Sequence, residues 1–258
     1  MADLFDVSGK TALVTGGSRG IGLMIARGLV EGGARVIVSS RKEGPVKEAA
    51  GELGKLGDCV GIPGDVSTPE GAAALAQATT ERFEKLDILV NNAGTTWGAP
   101  LEEFPATGWD RVAHTNVEGA FHLTVALLGA LRGAATREHP ARVVNIGSID
   151  GIRTPSVENY SYSASKAAVH MLTRHLAKRL AAENITVNAI APGPFQSKMM
   201  AFLLDDPESR AAVEGTVPLK RIGHPDDVAG LIIFLCSRAG SYMTGTVIPL
   251  DGGITGCG

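Results

Sequence analysis

Cysteine, long apolar runs and excess charge are all scarce in this chain of 258 residues. Its three cysteines, Cys59, Cys236 and Cys257, form neither a paired spacing nor a metal-binding one. The odd count and the absence of a signal-peptide pattern favour the reducing cytoplasm. The longest apolar runs, such as residues 231–236, are far too short to span a bilayer. We therefore expect a cytoplasmic protein with no metal site and no membrane association.

Aromatic residues make up only 5% of the chain, and the formal net charge is −3. A chain so close to neutral has no electrostatic reason to bind nucleic acid or an anionic membrane, so neither is expected as a partner. Apolar residues and glycine are instead plentiful, at 44% of the chain and 33 residues respectively. This composition suits a compact α/β domain with many tight turns.

Short apolar strands alternate with helical patterns along the whole chain. Strands are predicted at 11–14, 35–39, 59–62, 87–90, 142–146, 185–190 and 246–250, and helices at 21–32, 45–56, 68–85, 107–131, 162–182 and 225–236. The alternation predicts an α/β fold, a Rossmann-type doubly wound seven-stranded parallel sheet in a single domain spanning residues 1–258. Its dinucleotide-binding half covers about 9–150. A long connection at 192–217, with a short helix near 199–204, provides a substrate lid from about 194 to 217.

Glycines crowd the turn that follows the first predicted strand. The turn reads Thr-Gly-Gly-Ser-Arg-Gly-Ile-Gly from Thr15 to Gly22, and it opens a predicted helix. This is the context that a dinucleotide-binding fingerprint requires. Glycines let the backbone approach a pyrophosphate, and the amino end of the helix favours its negative charge. The residues predicted to bind the cofactor here are Gly16, Ser18, Arg19, Gly20 and Ile21.

The residues after the second strand predict which nicotinamide cofactor is bound. Sites that prefer NAD usually place an acidic residue there, whereas this chain has Ser39, Ser40 and Arg41. Together with Arg19, Arg41 can clamp a 2′-phosphate through contacts of ~1.5–3 kcal/mol each. After solvent screening, this predicts a preference for NADPH of roughly 10–1000-fold. Ser40 and Arg41 join the predicted cofactor site, and the cofactor is predicted to be NADP(H).

The third, fourth and sixth strands also end in polar or small residues. Asp65 is placed to accept a hydrogen bond from the adenine amino group, although a simple turn aspartate explains it equally well. Asn91 is placed to tie neighbouring strands together, while the next residues leave room for ribose. The further cofactor-binding residues predicted at these strand ends are Asp65, Val66, Asn92, Ala93, Gly94, Pro192 and Gly193.

A possible catalytic group follows the fifth strand. Tyr162 and Lys166 are four residues apart in a predicted helix, so they share one face. A phenol has a pKa of ~10, and a cation one turn away is expected to lower it. Ser148 lies just beyond the strand, where open α/β sheets bind ligands. The three together can polarise a carbonyl and protonate its oxygen. Taken alone, Tyr162 is also typical of a half-buried helix residue, and Lys166 of a solvated one.

Seven short motifs occur in this order between about residues 9 and 253: Thr15–Gly22, Asn91–Gly94, Asn116, Ser148, Tyr162–Lys166, Pro192–Gly193 and Asp251–Gly253. This set resembles the short-chain dehydrogenase/reductase family, and within it the NADPH-dependent 3-oxoacyl-[acyl-carrier-protein] reductases, including the β-ketoacyl reductase of the rhamnolipid type. One departure is the gap of 14 residues from Ser148 to Tyr162 (162 − 148), which is often one shorter in the family.

The resemblance implies a role for each catalytic residue. Tyr162 is the general acid in reduction and the base in oxidation, and Ser148 holds the substrate carbonyl. Lys166 binds the nicotinamide ribose and lowers the pKa of the tyrosine. Asn116 holds a water that relays protons to Lys166, a role that only the resemblance implies. Tyr162 and Lys166 thus belong to the cofactor site as well. The family likeness also implies a homotetramer.

The predicted activity is the NADPH-dependent reduction of a carbonyl to a hydroxyl, in a 3-oxoacyl thioester of acyl-carrier protein or coenzyme A. Two alternatives stay open: a polyol, sugar-acid or cyclic alcohol dehydrogenase with the same site, and a dinucleotide-sensing protein without turnover. The residues that suit an acyl chain, or alternatively pack a helix onto the domain, are Trp97, Phe104, Phe195, Met199, Met200, Phe202, Leu203 and Leu204.

Overall fold

A computed structural model describes residues 4–197, 200–201 and 205–257. Its centre is a parallel sheet of seven strands in the order β3-β2-β1-β4-β5-β6-β7. The strands are β1 (Thr11–Thr15), β2 (Arg35–Ser40), β3 (Cys59–Pro63), β4 (Ile88–Asn91), β5 (Ala141–Ile146), β6 (Ile185–Pro192) and β7 (Val247–Leu250). The predicted fold, a doubly wound sheet in one domain, is confirmed.

Helices cover both faces of this sheet. In the described residues they are α1 (Gly20–Glu31), α2 (Glu43–Leu53), α3 (Pro69–Arg82), α4 (Ala106–Ala113), α5 (Gly119–Ala126), α6 (Leu128–Ala134), α7 (Tyr160–Leu180), α8 (Pro207–Thr216) and α9 (Pro225–Cys236). No helix in these ranges combines the length and the apolar character that crossing a membrane requires.

Two hydrophobic cores explain why the strands are apolar on both faces. Val36 and Val38 of β2 point into a core shared with α1 and α9. Ile37, between them, points into the opposite core with α3 and α5. Because successive side chains of a strand alternate between faces, a strand covered on both sides reads as a continuous apolar run.

The strand order reverses next to β1. From β1 the chain builds outward through β2 and β3, and it then returns to place β4 on the other side of β1. Open α/β sheets bind ligands in the crevice at such a switch point, outside the carboxyl ends of the strands. The glycine turn after β1 and the 91–94 segment after β4 border this crevice.

Two helical predictions need correction. The single helix expected at 107–131 is interrupted by a π-helical turn at His114–Glu118 and a break at Leu127. Helix α8 lies inside the stretch expected to be mainly a connection. Its start had a sequence signal that we missed: Asp206 accepts a hydrogen bond from Ser209 N at 2.8 Å, and Pro207 follows at the first helical position. Most of the short helix expected at 199–204 lies outside the described residues.

Candidate active site

The glycine turn has a backbone that only glycine adopts easily. Gly16 and Gly20 have φ angles of +63° and +55°. A Cβ added to Gly16 would lie 2.7 Å from Asn92 Nδ2. That amide nitrogen donates to Thr15 O at 2.9 Å and to Gly16 O at 3.2 Å. The side chain of Asn92, predicted to bind the cofactor, therefore braces the turn that forms the cradle.

The amino end of α1 is open to an anion. Arg19 occupies the N-cap position, and its side chain makes no capping hydrogen bond among the described residues. The first turn of α1 contains no acidic residue. The free N–H groups and the positive end of the helix dipole are therefore available to a phosphate. A Cβ on Gly22 would lie 2.4 Å from Gly16 O, so the close approach of backbone to backbone requires glycine. This cradle fits a dinucleotide pyrophosphate.

Strand register brings the second strand's end beside this turn. Thr15 pairs with Ser39, and Gly17 N donates to Ser39 O at 3.1 Å. Arg19 and Arg41 are both exposed, and they follow the carboxyl ends of the paired strands β1 and β2. Neither forms an ion pair with a carboxylate in the described part of the chain. Two unpaired guanidinium groups at this place fit a 2′-phosphate.

Asp65 follows β3 and forms a turn. Its Oδ1 accepts hydrogen bonds from Ser67 N at 3.0 Å and from Ser67 Oγ at 2.7 Å. This contact agrees with the turn alternative, and binding of adenine stays a prediction. Val66 is buried, and a Cβ on Gly119 of α5 would lie 2.5 Å from its carbonyl oxygen.

Asn91 ties the sheet together as predicted. Its Nδ2 donates to Asn145 Oδ1 at 2.9 Å and to Thr124 Oγ1 at 3.0 Å. Asn145 Nδ2 in turn donates to Thr173 Oγ1 on α7 at 2.8 Å. This buried network joins β4, β5, α5 and α7, so it fixes the helix that carries Tyr162 against the strand that leads to Ser148.

Ser148, Tyr162 and Lys166 lie together at the carboxyl end of β5. Ser148 is buried, and its Oγ accepts a hydrogen bond from Asp150 N at 3.1 Å. The Ser148 hydroxyl also lies beside the phenol of Tyr162, whose pKa it lowers. Lys166 is only 5% exposed, and its Nζ lies 5.6 Å from the centroid of the Tyr162 ring. The alternative that Lys166 is a solvated helix residue is therefore excluded.

The electrostatics of this group differ from the prediction. Burial raises the pKa of Tyr162 to about 12, Ser148 opposes that rise, and the charge of Asp150 adds to it. Burial also lowers the pKa of Lys166 to about 8. The expected lowering of the tyrosine pKa is therefore not found, because desolvation is the largest influence on it and Lys166 does not offset that influence. At neutral pH the phenol is protonated and the lysine is mostly charged, which is the state a proton donor needs.

Asn116 occupies the π-helical turn and is 3% exposed. Its Oδ1 accepts from Thr95 N at 2.8 Å, and its Nδ2 donates to Thr95 O at 3.0 Å and to Ser165 Oγ at 2.9 Å. The amide thus joins the segment after β4 to α7, one residue before Lys166. The role in a proton relay stays a prediction.

Gly193 follows β6 and packs tightly against the chain that follows β7. Its N–H donates to Leu250 O at 2.9 Å, and a Cβ would lie 2.8 Å from Asp251 Cα. Pro192 ends β6 in register with Leu250. Both residues lie at the same sheet edge as Ser148, as predicted.

The apolar residues expected at the substrate side lie in different surroundings. Phe104 contacts Tyr160 and Trp109, with ring centroids 5.6 and 6.0 Å apart. Phe195 is only 2% exposed, and its ring covers Gly223. It therefore belongs to the core and not to a lid, which corrects its assignment. Of the other apolar residues predicted on the lid, Met200 is described, whereas Met199, Phe202, Leu203 and Leu204 lie outside the described residues.

Sequence reasoning missed His170, which is buried one turn beyond Lys166. A Cβ on Gly147 would lie 2.2 Å from its Nε2, and one on Gly151 would lie 2.8 Å from its Cε1. The imidazole thus packs against both ends of the segment that carries Ser148. The spacing of four residues from Lys166 was the available signal.

We expect His170 to make the fold sensitive to acid. Burial and Lys166 lower its pKa to about 4. Between pH 6.5 and 4 the unfolded chain therefore binds a proton that the folded chain excludes, so stability falls as the pH falls. The expected loss at pH 4.5 is about 2 kcal/mol. Urea unfolding at pH 7 and 4.5 should show a smaller difference in His170→Gln than in wild type. His114→Gln, at an exposed site, is the control. An equal loss of stability between pH 7 and 4.5 in all three proteins would contradict the expectation.

Known proteins resemble this chain along nearly its whole length. The family model described as enoyl-(acyl carrier protein) reductase matches residues 16–255. The chain is 50% identical to the rhamnolipids biosynthesis 3-oxoacyl-[acyl-carrier-protein] reductase of Pseudomonas aeruginosa, over 98% of this chain and 99% of that protein. It is 35% identical to the 3-oxoacyl-[acyl-carrier-protein] reductase FabG of Vibrio cholerae, over 96% and 98%.

Solved structures also resemble this chain over nearly its whole length. The Pseudomonas aeruginosa RhlG/NADP active-site complex superposes with a TM-score of 0.96 at 49% identity, covering 99% of this chain and 100% of that one. A short-chain type dehydrogenase/reductase from Mycobacterium marinum gives 0.90 at 34% identity, covering 100% and 99%. The chain therefore belongs to the short-chain dehydrogenase/reductase family.

Proposed function

We propose that this chain is an NADPH-dependent oxidoreductase that reduces the carbonyl of 3-oxoacyl thioesters. The observation that carries the proposal is the convergence of Ser148, Tyr162 and buried Lys166 beside the cradle formed by the glycine turn. The relative at 50% identity, named a 3-oxoacyl-[acyl-carrier-protein] reductase, supports the substrate class.

The residues divide the chemistry among them. When bound, the nicotinamide supplies a hydride to the carbonyl carbon. The Ser148 hydroxyl orients the carbonyl oxygen, and Tyr162 Oη donates its proton to that oxygen as negative charge develops there. The Lys166 ammonium stabilises the phenolate that remains, and Lys166 Nζ is itself held by a hydrogen bond to Ile146 O at 2.7 Å. Burial keeps Tyr162 protonated at neutral pH, in the form that can donate a proton to the carbonyl oxygen.

The cofactor would lie across the switch point of the sheet. The amino end of α1 would hold the pyrophosphate, Arg19 and Arg41 a 2′-phosphate, and Lys166 the nicotinamide ribose. The remaining residues proposed to contact it are Gly16, Ser18, Gly20, Ile21, Ser40, Asp65, Val66, Asn92, Ala93, Gly94, Tyr162, Pro192 and Gly193, with Asn116 relaying protons to Lys166.

We also propose that several copies of this chain assemble into a homotetramer in the cytoplasm. Large apolar side chains on the outer faces of α4 and α5 support an interface there, since Trp109, Phe121 and Val125 are between 41% and 46% exposed. The choice of carrier rests on Arg174 and Lys178, which are exposed on α7 and would suit an acidic acyl-carrier protein.

The direct test is NADPH consumption with acetoacetyl and medium-chain 3-oxoacyl thioesters, each on coenzyme A and on acyl-carrier protein. We expect rapid turnover with NADPH and little with NADH. Equal rates on both carriers would remove the case for the basic face of α7. Tight NADPH binding without turnover on any thioester would refute the acyl substrate, and polyols, sugar acids and cyclic ketones would then be assayed with the same protein.

A further inference from the structure

The segment that carries Ser148 packs against α7 between two glycines. Gly147 directly follows β5, and Gly151 ends the single turn of 3₁₀ helix at Ile149–Gly151. Ser148 is buried between them. Because the proposed proton donor and its lysine both lie on α7, the fit of this segment against the helix decides where the Ser148 hydroxyl lies relative to them.

The imidazole of His170 contacts both ends of this segment. His170 lies on α7, one turn beyond Lys166, and it is buried. A Cβ built on Gly147 would lie 2.2 Å from His170 Nε2 and 2.7 Å from its Cδ2. A Cβ built on Gly151 would lie 2.8 Å from Cε1 of the same ring. The ring therefore lies directly against the backbone before and after Ser148.

The two glycines differ in what else surrounds them. At Gly151 the nearest atoms to an added Cβ belong to the backbone of α7, at 2.6 and 2.7 Å. At Gly147 the nearest atom outside the His170 ring is Ile190 O, at 3.3 Å, which a small adjustment accommodates. Gly147 does not have a left-handed φ, so an alanine there meets no backbone strain. The ring of His170 is thus the group that restricts position 147 to glycine.

Hydrogen bonds hold the start of the segment in place. Gly147 N donates to Ile190 O of β6 at 2.7 Å, and Lys166 Nζ donates to Ile146 O at 2.7 Å. The His170 ring adds a contact of shape, since its buried Nε2 has no hydrogen-bond partner in the described part of the chain. Because interiors are closely packed, a change in the fit between ring and segment displaces the residues that follow, and Ser148 is the first of these.

We propose that His170 is a positioning residue of the active site: its imidazole sets the distance between α7 and the segment that carries Ser148, and so places the Ser148 hydroxyl beside Tyr162. The catalytic meaning of this inference rests on the proposed function. His170 acts through Ser148, and no contact with substrate or cofactor is assigned to it.

A cycle of two substitutions tests the fit between the ring and the segment. Gly147→Ala places a methyl group against the ring, and since carbon atoms pack about 3.5 Å apart, the two must separate by about 1 Å. A displacement of that size costs about 10²-fold in rate, so we expect kcat for 3-oxoacyl thioester reduction to fall by about that factor. His170→Ala should lower kcat about tenfold, because the segment is then less firmly placed. In the double variant, kcat should return to the level of His170→Ala or above, because the methyl group enters the space that the ring left.

Two other glycines supply matched controls. Gly151→Ala should not be rescued by His170→Ala, because the backbone of α7 still blocks its Cβ. Gly129→Ala, on α6, should leave kcat unchanged, because a Cβ there meets nothing within 4 Å. The Kd for NADPH should be unchanged in Gly147→Ala and His170→Ala. Each kcat is measured well below the unfolding temperature of that variant, so a loss of stability alone leaves kcat in place.

Crystal structures of the same variants give a readout that needs no substrate. Ser148 Oγ should lie about 1 Å further from α7 in Gly147→Ala than in wild type, and it should return in the double variant. If no thioester is turned over, the proposed function fails, and these structures still decide whether His170 places Ser148.

Three outcomes would overturn the inference. The first is a His170→Ala protein with wild-type kcat. The second is a loss of kcat in Gly147→Ala that persists undiminished when His170→Ala is added. The third is an unmoved Ser148 in the crystal structure of Gly147→Ala. Should Gly147→Ala fail to fold, the kcat and the crystal structure of His170→Ala alone decide, since the inference requires a loss of rate and a shifted or less ordered Ser148 there.

Discussion

Tyr162→Phe is expected to lower the rate of carbonyl reduction by ~10²–10⁴-fold while NADPH binding is retained. The substitution removes a hydroxyl that lies beside Ser148, on the ring whose centroid is 5.6 Å from the buried ammonium of Lys166. The ring remains, so packing at the start of α7 is preserved. Stopped-flow turnover gives the rate, and fluorescence titration with NADPH gives the binding.

Tyr160→Phe is the matched control for that experiment. Tyr160 lies two residues earlier on the same helix, and its hydroxyl bonds Glu158 at 2.9 Å. The phenylalanine ring keeps the contact with Phe104. Turnover within a few-fold of wild type is expected. Should Tyr160→Phe lose as much as Tyr162→Phe, or Tyr162→Phe retain full turnover, the assignment of the proton donor would be wrong.

The fold could be predicted because its signals are local. Most strands are runs of apolar residues because helices cover both faces of the sheet, and many of the turns contain glycine or proline. The interruption of the long helix at His114–Glu118 has no such signal. A π-helical turn depends on what the side chain of Asn116 contacts in space, and those partners lie 21 and 49 residues away.

The residues that meet in the proposed catalytic site could be predicted from the sequence, but the shift of the tyrosine pKa could not. Spacing placed Tyr162 and Lys166 on one face and strand order placed Ser148 nearby. Neither the spacing nor the strand order shows how much water remains around these side chains. Burial of both side chains reverses the expected shift of the tyrosine pKa, and burial is a property of the whole fold.

Cofactor preference should depend on the two exposed arginines that flank the end of β2. We expect the double variant Arg19→Ala, Arg41→Ala to lower the ratio of kcat/KM for NADPH to that for NADH by about 10–1000-fold. NADH has no 2′-phosphate, so its own kcat/KM should change little. Because both guanidinium groups are exposed, the preference of the wild type should also weaken as ionic strength rises.

Arg27→Ala is the control for that loss of positive charge. Arg27 is an exposed residue of α1 whose guanidinium pairs with Glu31 at 2.8 Å, one turn further along the same helix. Removing it should leave the cofactor ratio unchanged. If the double variant lost NADPH and NADH activity in equal proportion, the arginines would be holding the pyrophosphate shared by both cofactors. The absence of an acid after β2 would then be the whole basis of selectivity, and introducing one as Ser40→Asp should switch the preference towards NADH without any change at Arg19 or Arg41.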